Sequence, residues 1–191
     1  MISPSYLLAA YQTGLFPMSV DGQIKWFSPE RRGIVPIDRF HVPRRLRRLL
    51  RQGRYDVSIN RSFNDVIVAC ASRPDSTGNW IDEEIIESYS TLHEAGFAHS
   101  VEAWLNGTLV GGLYGVSIGG AFFGESMFYR ENDASKVALC GLVDRLRDRG
   151  YSLLDIQWLT AHLKRLGGQE VSRRQYLEIL TRVLREKRKF D

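Results

Sequence analysis

Hydrophobic residues recur with two different periods along the chain, and these periods predict both helices and strands. A repeat of three to four residues predicts a helix after Ser3-Pro4, a strongly basic helix after Pro43, and a long helix that ends at Gly150. Apolar runs around Asn106-Gly107 and after Gly119-Gly120 predict three consecutive antiparallel strands, because Asn-Gly is the strongest short hairpin signal.

Other segments have weaker patterns. Residues 16–40 contain three prolines and no long periodic run, so we expect a loop-rich stretch that packs on a neighbouring domain. The spacings Ser-x-x-Asp at 62–65 and Ser-x-x-Gln at 172–175 resemble capping boxes at the starts of helices. Asp133 is expected to cap the long helix.

The predicted element order from residue 55 onward is strand, helix, helix, three strands, helix, strand, helix, a short strand and a last helix. This order resembles the GCN5-related N-acetyltransferase fold. We therefore expect an α+β protein: a small N-terminal domain at residues 1–54 with the basic helix, and a domain at 55–191 with a mostly antiparallel mixed sheet flanked by helices. Acetyltransferases hold the coenzyme A pyrophosphate on a glycine-rich turn, but residues 128–136 contain no glycine, which argues against coenzyme A.

Composition supports a globular protein, since 43% of the residues are hydrophobic and 25% are charged. Fibrous and disordered classes are excluded. No apolar run approaches the roughly 18 residues of a membrane span, and no basic segment precedes the first apolar run, so we expect a cytoplasmic protein without a signal peptide or membrane partner. Cys70 and Cys140 lie in apolar helical segments without metal-ligand spacing, which predicts reduced core thiols and no metal or cofactor.

Positive charge is concentrated in two segments. Residues 31–54 hold nine Arg and one Asp, and residues 173–189 hold seven Lys or Arg and two Glu, so the rest of the chain is acidic. A basic stripe on an otherwise acidic protein predicts a polyanionic partner.

Nine short motifs occur in a characteristic order: GLFPM (14–18), WFSP (26–29), NWI (79–81), GFAHSVEAW (96–104), GGLYGV (111–116), FFGESMF (122–128), ASKVAL (134–139), LLDIQ (153–157) and RRQYL (173–177). Together they closely resemble the leucyl/phenylalanyl-tRNA–protein transferase family. The resemblance implies transfer of Leu or Phe, and less readily Met, from aminoacyl-tRNA to a protein with N-terminal Arg or Lys, which marks that protein for N-end-rule degradation. It also implies the two-domain organisation described above.

The resemblance places Asp155 and Gln157 nearest the chemistry. Residues i and i+2 of a strand project from one face, so a carboxylate and an amide are expected to share one site. Asp155 would polarise Gln157 or accept a proton through it, while the Gln157 carbonyl oxygen orients the attacking amine. Assistance by the tRNA ribose hydroxyl is an open alternative, in which both residues only position groups.

The substrate-binding candidates begin with Glu125, a carboxylate in an apolar run that needs a partner. The resemblance places it near the terminal adenosine and aminoacyl group; the alternative is a structural ion pair. Met127, two residues later, would face the same way. The resemblance adds five candidates for pocket or adenine contacts, for which core packing is the alternative: Leu113, Leu142, Trp26, Trp80 and Tyr89.

Two positions differ from the usual family pattern. The family often has a Trp pair at Trp26-Phe27 and a Met at Leu113, so the preference among Leu, Phe and Met stays open.

The basic helix supplies the expected tRNA contacts. Its leucines form an apolar stripe, and its arginines cover the remaining face. The expected phosphate-binding residues are Arg44, Arg45, Arg47, Arg48 and Arg51. Two other functions stay possible at this point: an acyltransferase with another acyl donor, and a noncatalytic RNA-binding module.

Overall fold

The computed structural model describes residues 1–72 and 80–191, so the first residue of the 79–81 motif lies outside the described residues. The elements in these ranges follow in the order α1 (Pro4–Gln12), β1 (Phe16–Val20), β2 (Gln23–Phe27), β3 (Arg31–Val35), α2 (Arg44–Arg51), β4 (Asp56–Ile59), α3 (Phe63–Ala71), α4 (Glu83–Glu94), β5 (Ala98–Leu105), β6 (Thr108–Ile118), β7 (Ala121–Tyr129), α5 (Ala134–Asp148), β8 (Leu153–Gln157), α6 (Ala161–Arg165), β9 (Gln169–Ser172) and α7 (Arg173–Val183).

A seven-stranded sheet has the spatial order β4-β5-β6-β7-β8-β3-β9, and β1 pairs with β2 in a separate hairpin. All neighbours in the large sheet are antiparallel except β7 and β8, which are parallel. The helix α5 connects these two parallel strands, as a parallel crossover requires. The predicted α+β class with a mostly antiparallel mixed sheet flanked by helices is confirmed.

Helices cover both faces of the sheet. Side chains of α1, α3, α4 and α7 form one hydrophobic cluster with one set of strand residues. Side chains of α2, α5 and α6 form a second cluster with the alternate strand residues. Neighbouring residues such as Phe122 and Phe123 therefore belong to opposite clusters. Cys70 and Cys140 are buried in these cores, as predicted. None of the helices in the described ranges has the length and apolarity to cross a bilayer.

The interpretation of residues 16–40 as a loop-rich stretch was wrong. This segment contains three five-residue strands, and β3 lies inside the large sheet between β8 and β9. Its partners lie 119 or more residues away in the chain, so no local periodicity predicts this strand. Residues 1–54 thus contribute a strand to the seven-stranded sheet, and the predicted division near residue 54 stays a prediction.

The helix starts confirm one cap prediction and correct two. Ser172 and Gln175 form the predicted capping box of α7. Ser62 makes no cap bond to the backbone, because its hydroxyl donates to the Asp65 carboxylate instead. Asp133 has a left-handed backbone with φ 65° and no cap bond, since its carboxylate pairs with cationic side chains.

Candidate active site

A cavity of about 270 Å³ lies where β7 and β8 separate. The two strands are paired only from Ala121–Leu153 to Phe123–Asp155, and beyond that point β7 continues along β6 alone. The cavity opens in this gap, and its walls come from both hydrophobic clusters. Its lining residues are Phe16, Met18, Trp80, Leu113, Tyr114, Gly124, Glu125, Ser126, Met127, Leu139, Leu142, Leu154, Ile156, Gln157, Trp158, Thr160, His162 and Leu163.

A β-bulge places Glu125 in the cavity wall. In the pairing of β7 with β6, Gly124 is opposite Gly115 and Ser126 is opposite Tyr114, so Glu125 is the extra residue. Bulges bend a strand and redirect a side chain, and they are common next to active sites. Glu125 and Met127 both line the cavity, as the sequence predicted.

Glu125 is the centre of a hydrogen-bond chain that runs from the cavity into the core. Its Oε1 accepts from Gln157 Nε2 at 3.1 Å, and its Oε2 accepts from the Tyr89 hydroxyl at 3.4 Å. The Tyr89 hydroxyl is in turn hydrogen-bonded to the Tyr11 hydroxyl. The partners of Glu125 in these bonds are neutral groups, so its surroundings differ from the structural ion pair that was the alternative.

These surroundings favour the neutral form of Glu125. The pKa of Glu125 is raised to about 8, chiefly by removal from water. The nearby Asp155 charge also raises this pKa, whereas the hydroxyls of Tyr11 and Tyr89 and the charge of Arg32 lower it. Burial and Glu125 also raise the pKa of both tyrosines, which stay neutral. A carboxyl with a pKa near 8 can both donate and accept a proton near neutral pH.

The raised pKa predicts a pH-dependent stability. Between the unfolded pKa of Glu, about 4.3, and the folded value of about 8, the folded protein holds a proton that the unfolded chain has lost. The free energy of unfolding therefore falls as the pH rises through this range. We expect Glu125→Gln to remove this pH dependence. From pH 5 to pH 9 its free energy of unfolding should therefore rise, relative to that of wild type, by on the order of 1 to 3 kcal/mol.

Urea unfolding of both proteins at pH 5 and pH 9 measures this difference. The exposed Glu94→Gln variant is the control and should follow wild type. A constant stability difference between Glu125→Gln and wild type across the range would show that Glu125 is ionised throughout.

Asp155 lies below the cavity and is completely buried. Arg32 binds its carboxylate through two nitrogens, Nε at 2.9 Å from Oδ1 and Nη2 at 2.7 Å from Oδ2. The Tyr176 hydroxyl donates to Oδ2 at 2.6 Å, and the backbone N–H of Gln157 donates to Oδ1 at 2.9 Å. Burial and Asp155 raise the pKa of Tyr176, so this hydroxyl stays a donor. The Arg32 guanidinium also lies over the rings of Phe16 and Tyr176, at 4.7 and 4.5 Å from their centroids.

The contact between Asp155 and Gln157 therefore differs from the expected contact between their side chains. Asp155 contacts the backbone of Gln157, whereas the Gln157 side chain reaches Glu125 and the cavity. Gln157 has a left-handed backbone with φ 53°, a conformation that costs a non-glycine residue free energy. The hydrogen bond from its N–H to Asp155 holds this turn at the end of β8.

The other predicted substrate residues divide into two groups. Leu113, Leu142 and Trp80 line the cavity together with Met127. Tyr89 lies beneath Glu125 and is fully buried, and Trp26 lies outside the cavity lining, where its ring packs edge-on against Tyr6 at 5.2 Å.

The basic helix α2 presents the predicted charged surface. All five predicted arginines are exposed, while Leu46 is buried in the second cluster. A groove of about 150 Å³ beside α2 is lined by Pro43, Arg45, Leu46, Asp133, Lys136, His162, Arg165 and Leu166. His162 lines both this groove and the cavity, so the basic surface leads to the candidate active site.

Comparison with known proteins identifies the family. Residues 34–181 match the family described as leucyl/phenylalanyl-tRNA protein transferase, and residues 1–30 match the N-terminal domain of the same family. The chain belongs to this family.

Individual relatives agree with the assignment. The chain is 50% identical over 186 residues to the leucyl/phenylalanyl-tRNA–protein transferase of Ruegeria sp. (strain TM1040), covering 96% of this chain and 87% of that protein. It is 52% identical over 182 residues to the transferase of Maricaulis maris (strain MCS10), covering 93% and 84%. Among solved structures, L-PGS from Bacillus licheniformis is similar in fold, with a TM-score of 0.50 and 13% identity over 91% of this chain and 67% of that chain.

Sequence reasoning missed several residues of this candidate site. Arg32 was counted in the basic stripe, yet it is 1% exposed and binds Asp155. Two further residues had no predicted role in the site: Tyr11, whose hydroxyl is hydrogen-bonded to that of Tyr89, and Trp158, which is 45% exposed at the cavity. The only local signal was that Trp158 directly follows the LLDIQ motif.

Proposed function

We propose that this protein transfers Leu or Phe, and less readily Met, from aminoacyl-tRNA to the N-terminal Arg or Lys of acceptor proteins, and thereby marks them for N-end-rule degradation. Family membership supports the aminoacyl transfer. The observation that carries the proposal is the apolar cavity with Glu125 and Gln157 hydrogen-bonded to each other in its wall.

The cavity is suited to an apolar donor side chain. Its aliphatic wall consists of leucines of β6, α5, β8 and α6 together with Met127, whose flexible thioether adapts to different shapes. A hydrophobic pocket discriminates mainly by volume and by the polar groups it leaves unpaired. In this proposal the donor Leu or Phe side chain occupies this wall, and its ester faces Glu125 and Gln157.

The reaction joins the acceptor nitrogen to the ester carbonyl carbon. The neutral α-amine attacks, the carbon–oxygen bond to the ribose breaks, and the proton of the amine ends on the leaving ribose oxygen. Since Gln157 Nε2 donates to Glu125, the Gln157 carbonyl oxygen is directed to accept from the amine. Glu125, whose pKa of about 8 leaves a fraction of the molecules ionised near neutral pH, takes the proton in its carboxylate form and returns it to the ribose oxygen. Asp155 has no access to the substrate, and we propose that it positions Gln157 through the backbone.

The exposed arginines of α2 are proposed to hold tRNA phosphates. Each phosphate contact releases counterions, so each lost contact should make the slope of log affinity against log salt shallower by about 0.7 to 0.9. For Arg44/Arg45/Arg48→Ala we expect weaker tRNA binding and a shallower slope, with unchanged transfer at saturating tRNA. Titrations at several salt concentrations measure this.

A matched triple variant controls for net charge. Lys25/Arg61/Arg149→Ala removes the same charge from exposed positions outside the two basic segments and should keep a slope closer to wild type. Superimposable slopes for wild type and the α2 variant would mean that this helix does not hold tRNA.

One transfer assay tests the proposed function. Labelled Phe should move from tRNA to a peptide that begins with Arg, and should not move to an otherwise identical peptide that begins with Asp. Binding of tRNA without transfer would favour the noncatalytic RNA-binding module. Stabilisation by coenzyme A without transfer would favour an acyltransferase with another donor.

A further inference from the structure

His162 lies on α6, between the cavity and the groove beside α2, and it contributes to the lining of both. Its Nε2 atom is buried and has no hydrogen-bond partner among the residues that the structure describes. A buried polar atom without a partner costs free energy that a ligand with a complementary group would recover. The proposed proton transfer through Glu125 and Gln157 does not use this side chain, so its polar edge has no task in the mechanism described above.

The His162 ring is neutral near neutral pH. Burial lowers its pKa, and the charges of Lys136 and Arg165 lower it further, although Asp133 raises it. A neutral imidazole has one N–H donor and one acceptor nitrogen, which suits a hydroxyl group, because a hydroxyl both donates and accepts. A phosphate oxygen only accepts and is better matched by the cationic side chains of the groove.

The surroundings of His162 fix its backbone. The Thr160 hydroxyl caps α6 by accepting from the N–H of Leu163 at 3.2 Å, and Leu163 packs in the second cluster. The ring itself can turn, since the χ2 torsion of His has a broad distribution. The Nε2 atom can therefore meet a ligand that passes between the cavity and the groove while the backbone of α6 stays in place.

The covalent order of the donor matches the order of these surfaces. At the 3′ end of an aminoacyl-tRNA the amino acid is joined to a ribose, and this ribose is joined through its 5′ oxygen to a phosphate. The apolar cavity suits the amino-acid side chain, and the groove suits the phosphate, because its lining holds three cationic side chains and one carboxylate. These four residues are Arg45, Lys136, Arg165 and Asp133. With the amino acid in the cavity and the phosphate in the groove, the ribose lies at His162.

We propose that the His162 ring forms a hydrogen bond through Nε2 to the 2′-hydroxyl of the terminal ribose of the donor. This inference rests on the proposed function. The 2′-hydroxyl is next to the 3′ oxygen that carries the amino acid, so this bond would hold the ester in place beside Gln157. A protein contact to this hydroxyl also distinguishes a ribose from a deoxyribose.

The test uses two donor analogues that cannot be hydrolysed: phenylalanine joined by an amide to the 3′-nitrogen of 3′-amino-3′-deoxyadenosine, and the same compound with hydrogen in place of the 2′-hydroxyl. Calorimetry measures their binding to wild type, His162→Phe and His162→Gln. We expect wild type to bind the hydroxyl compound about 3- to 13-fold more tightly than the deoxy compound, and His162→Phe to bind the two alike. His162→Gln keeps a polar group near the position of Nε2 and should retain part of the preference.

His41→Phe is the matched control. His41 is exposed and lines neither the cavity nor the groove, so this variant should keep the wild-type preference for the hydroxyl compound. A measurement on wild type needs no substitution at His162: in protein with isotopically labelled histidine, the ring-nitrogen NMR signals of His162 should shift more with the hydroxyl compound than with the deoxy compound. The test therefore remains decisive if His162→Phe does not fold.

Other outcomes would overturn the inference. A wild-type preference that His162→Phe retains in full would assign the 2′-hydroxyl to another residue. Loss of affinity in His162→Phe only for a hydroxyl compound that also carries a 5′-phosphate would place His162 at the phosphate. Wild type that binds neither compound would contradict the proposed function itself, whereas wild type that binds both compounds equally contradicts this inference alone.

Discussion

Replacement of Gln157 by Ala is expected to lower the single-turnover rate of transfer by about 100- to 10,000-fold at saturating donor. The variant loses the amide that orients the attacking amine and donates to Glu125. Donor affinity should change little, because the apolar wall of the cavity and the basic helix are untouched. Rapid-quench transfer of labelled Phe to an Arg-starting peptide measures the rate, and filter binding of charged tRNA measures the affinity.

The exposed residue Gln23 provides the matched control, and Gln23→Ala should transfer at the wild-type rate. The variant Asp155→Asn distinguishes positioning of Gln157 from direct participation in proton transfer. If Asp155 only positions Gln157, Asp155→Asn lowers both stability and rate, and the remaining activity keeps one pH transition, moved to lower pH because the Asp155 charge that raises the pKa of Glu125 is gone. An unchanged single-turnover rate for Gln157→Ala would exclude Gln157 from the chemical step.

Local signals in the sequence predicted most elements. The Asn106-Gly107 turn, the Ser172–Gln175 capping box and the leucine stripe of α2 act over a few residues, and each is present in the structure. The strand β3 could not be predicted in this way, because its five residues pair with β8 and β9 at the other end of the chain.

Local sequence signals were equally insufficient for the geometry of the candidate site. The family motifs named Glu125, Met127 and Gln157, and the structure places all three at one cavity. The sequence did not reveal how they are oriented. A β-bulge redirects the side chain of Glu125, and the left-handed backbone of Gln157 redirects its own side chain. Arg32, the partner of Asp155, lies 123 positions away in the sequence. Strand periodicity assumes regular strands, so it cannot anticipate such irregular positions.

Charge counting misassigned one arginine. The cluster of arginines at residues 31–54 predicted a surface that binds a polyanion, and the five arginines of α2 are indeed exposed. Arg32 belongs to the same count but points into the core, between Phe16 and Tyr176. Net charge along a segment describes a surface only when the side chains reach it, and on β3 the Arg31 side chain does so whereas that of Arg32 is 1% exposed.

Arg32→Met is expected to lower the free energy of unfolding by about 3 to 5 kcal/mol, because it leaves the Asp155 carboxylate buried without its cation. The Arg174→Met variant is the matched control, since Arg174 forms a 3.1 Å ion pair with Glu178 at the surface. Exposed pairs of this kind contribute about 0 to 1 kcal/mol. Urea unfolding at neutral pH measures both variants, and similar losses for the two would contradict a special role of the buried pair.

The double variant Arg32→Met/Asp155→Leu distinguishes stability from positioning. Replacement of both charged partners by apolar side chains removes the unpaired buried charge, so a large part of the lost stability should return. The backbone N–H of Gln157 still lacks its acceptor, however, and its left-handed turn loses the hydrogen bond that holds it. We therefore expect transfer to remain slow in a protein that is again stable, with donor affinity changed less than rate. Recovery of the wild-type transfer rate together with stability would show that Asp155 serves folding alone.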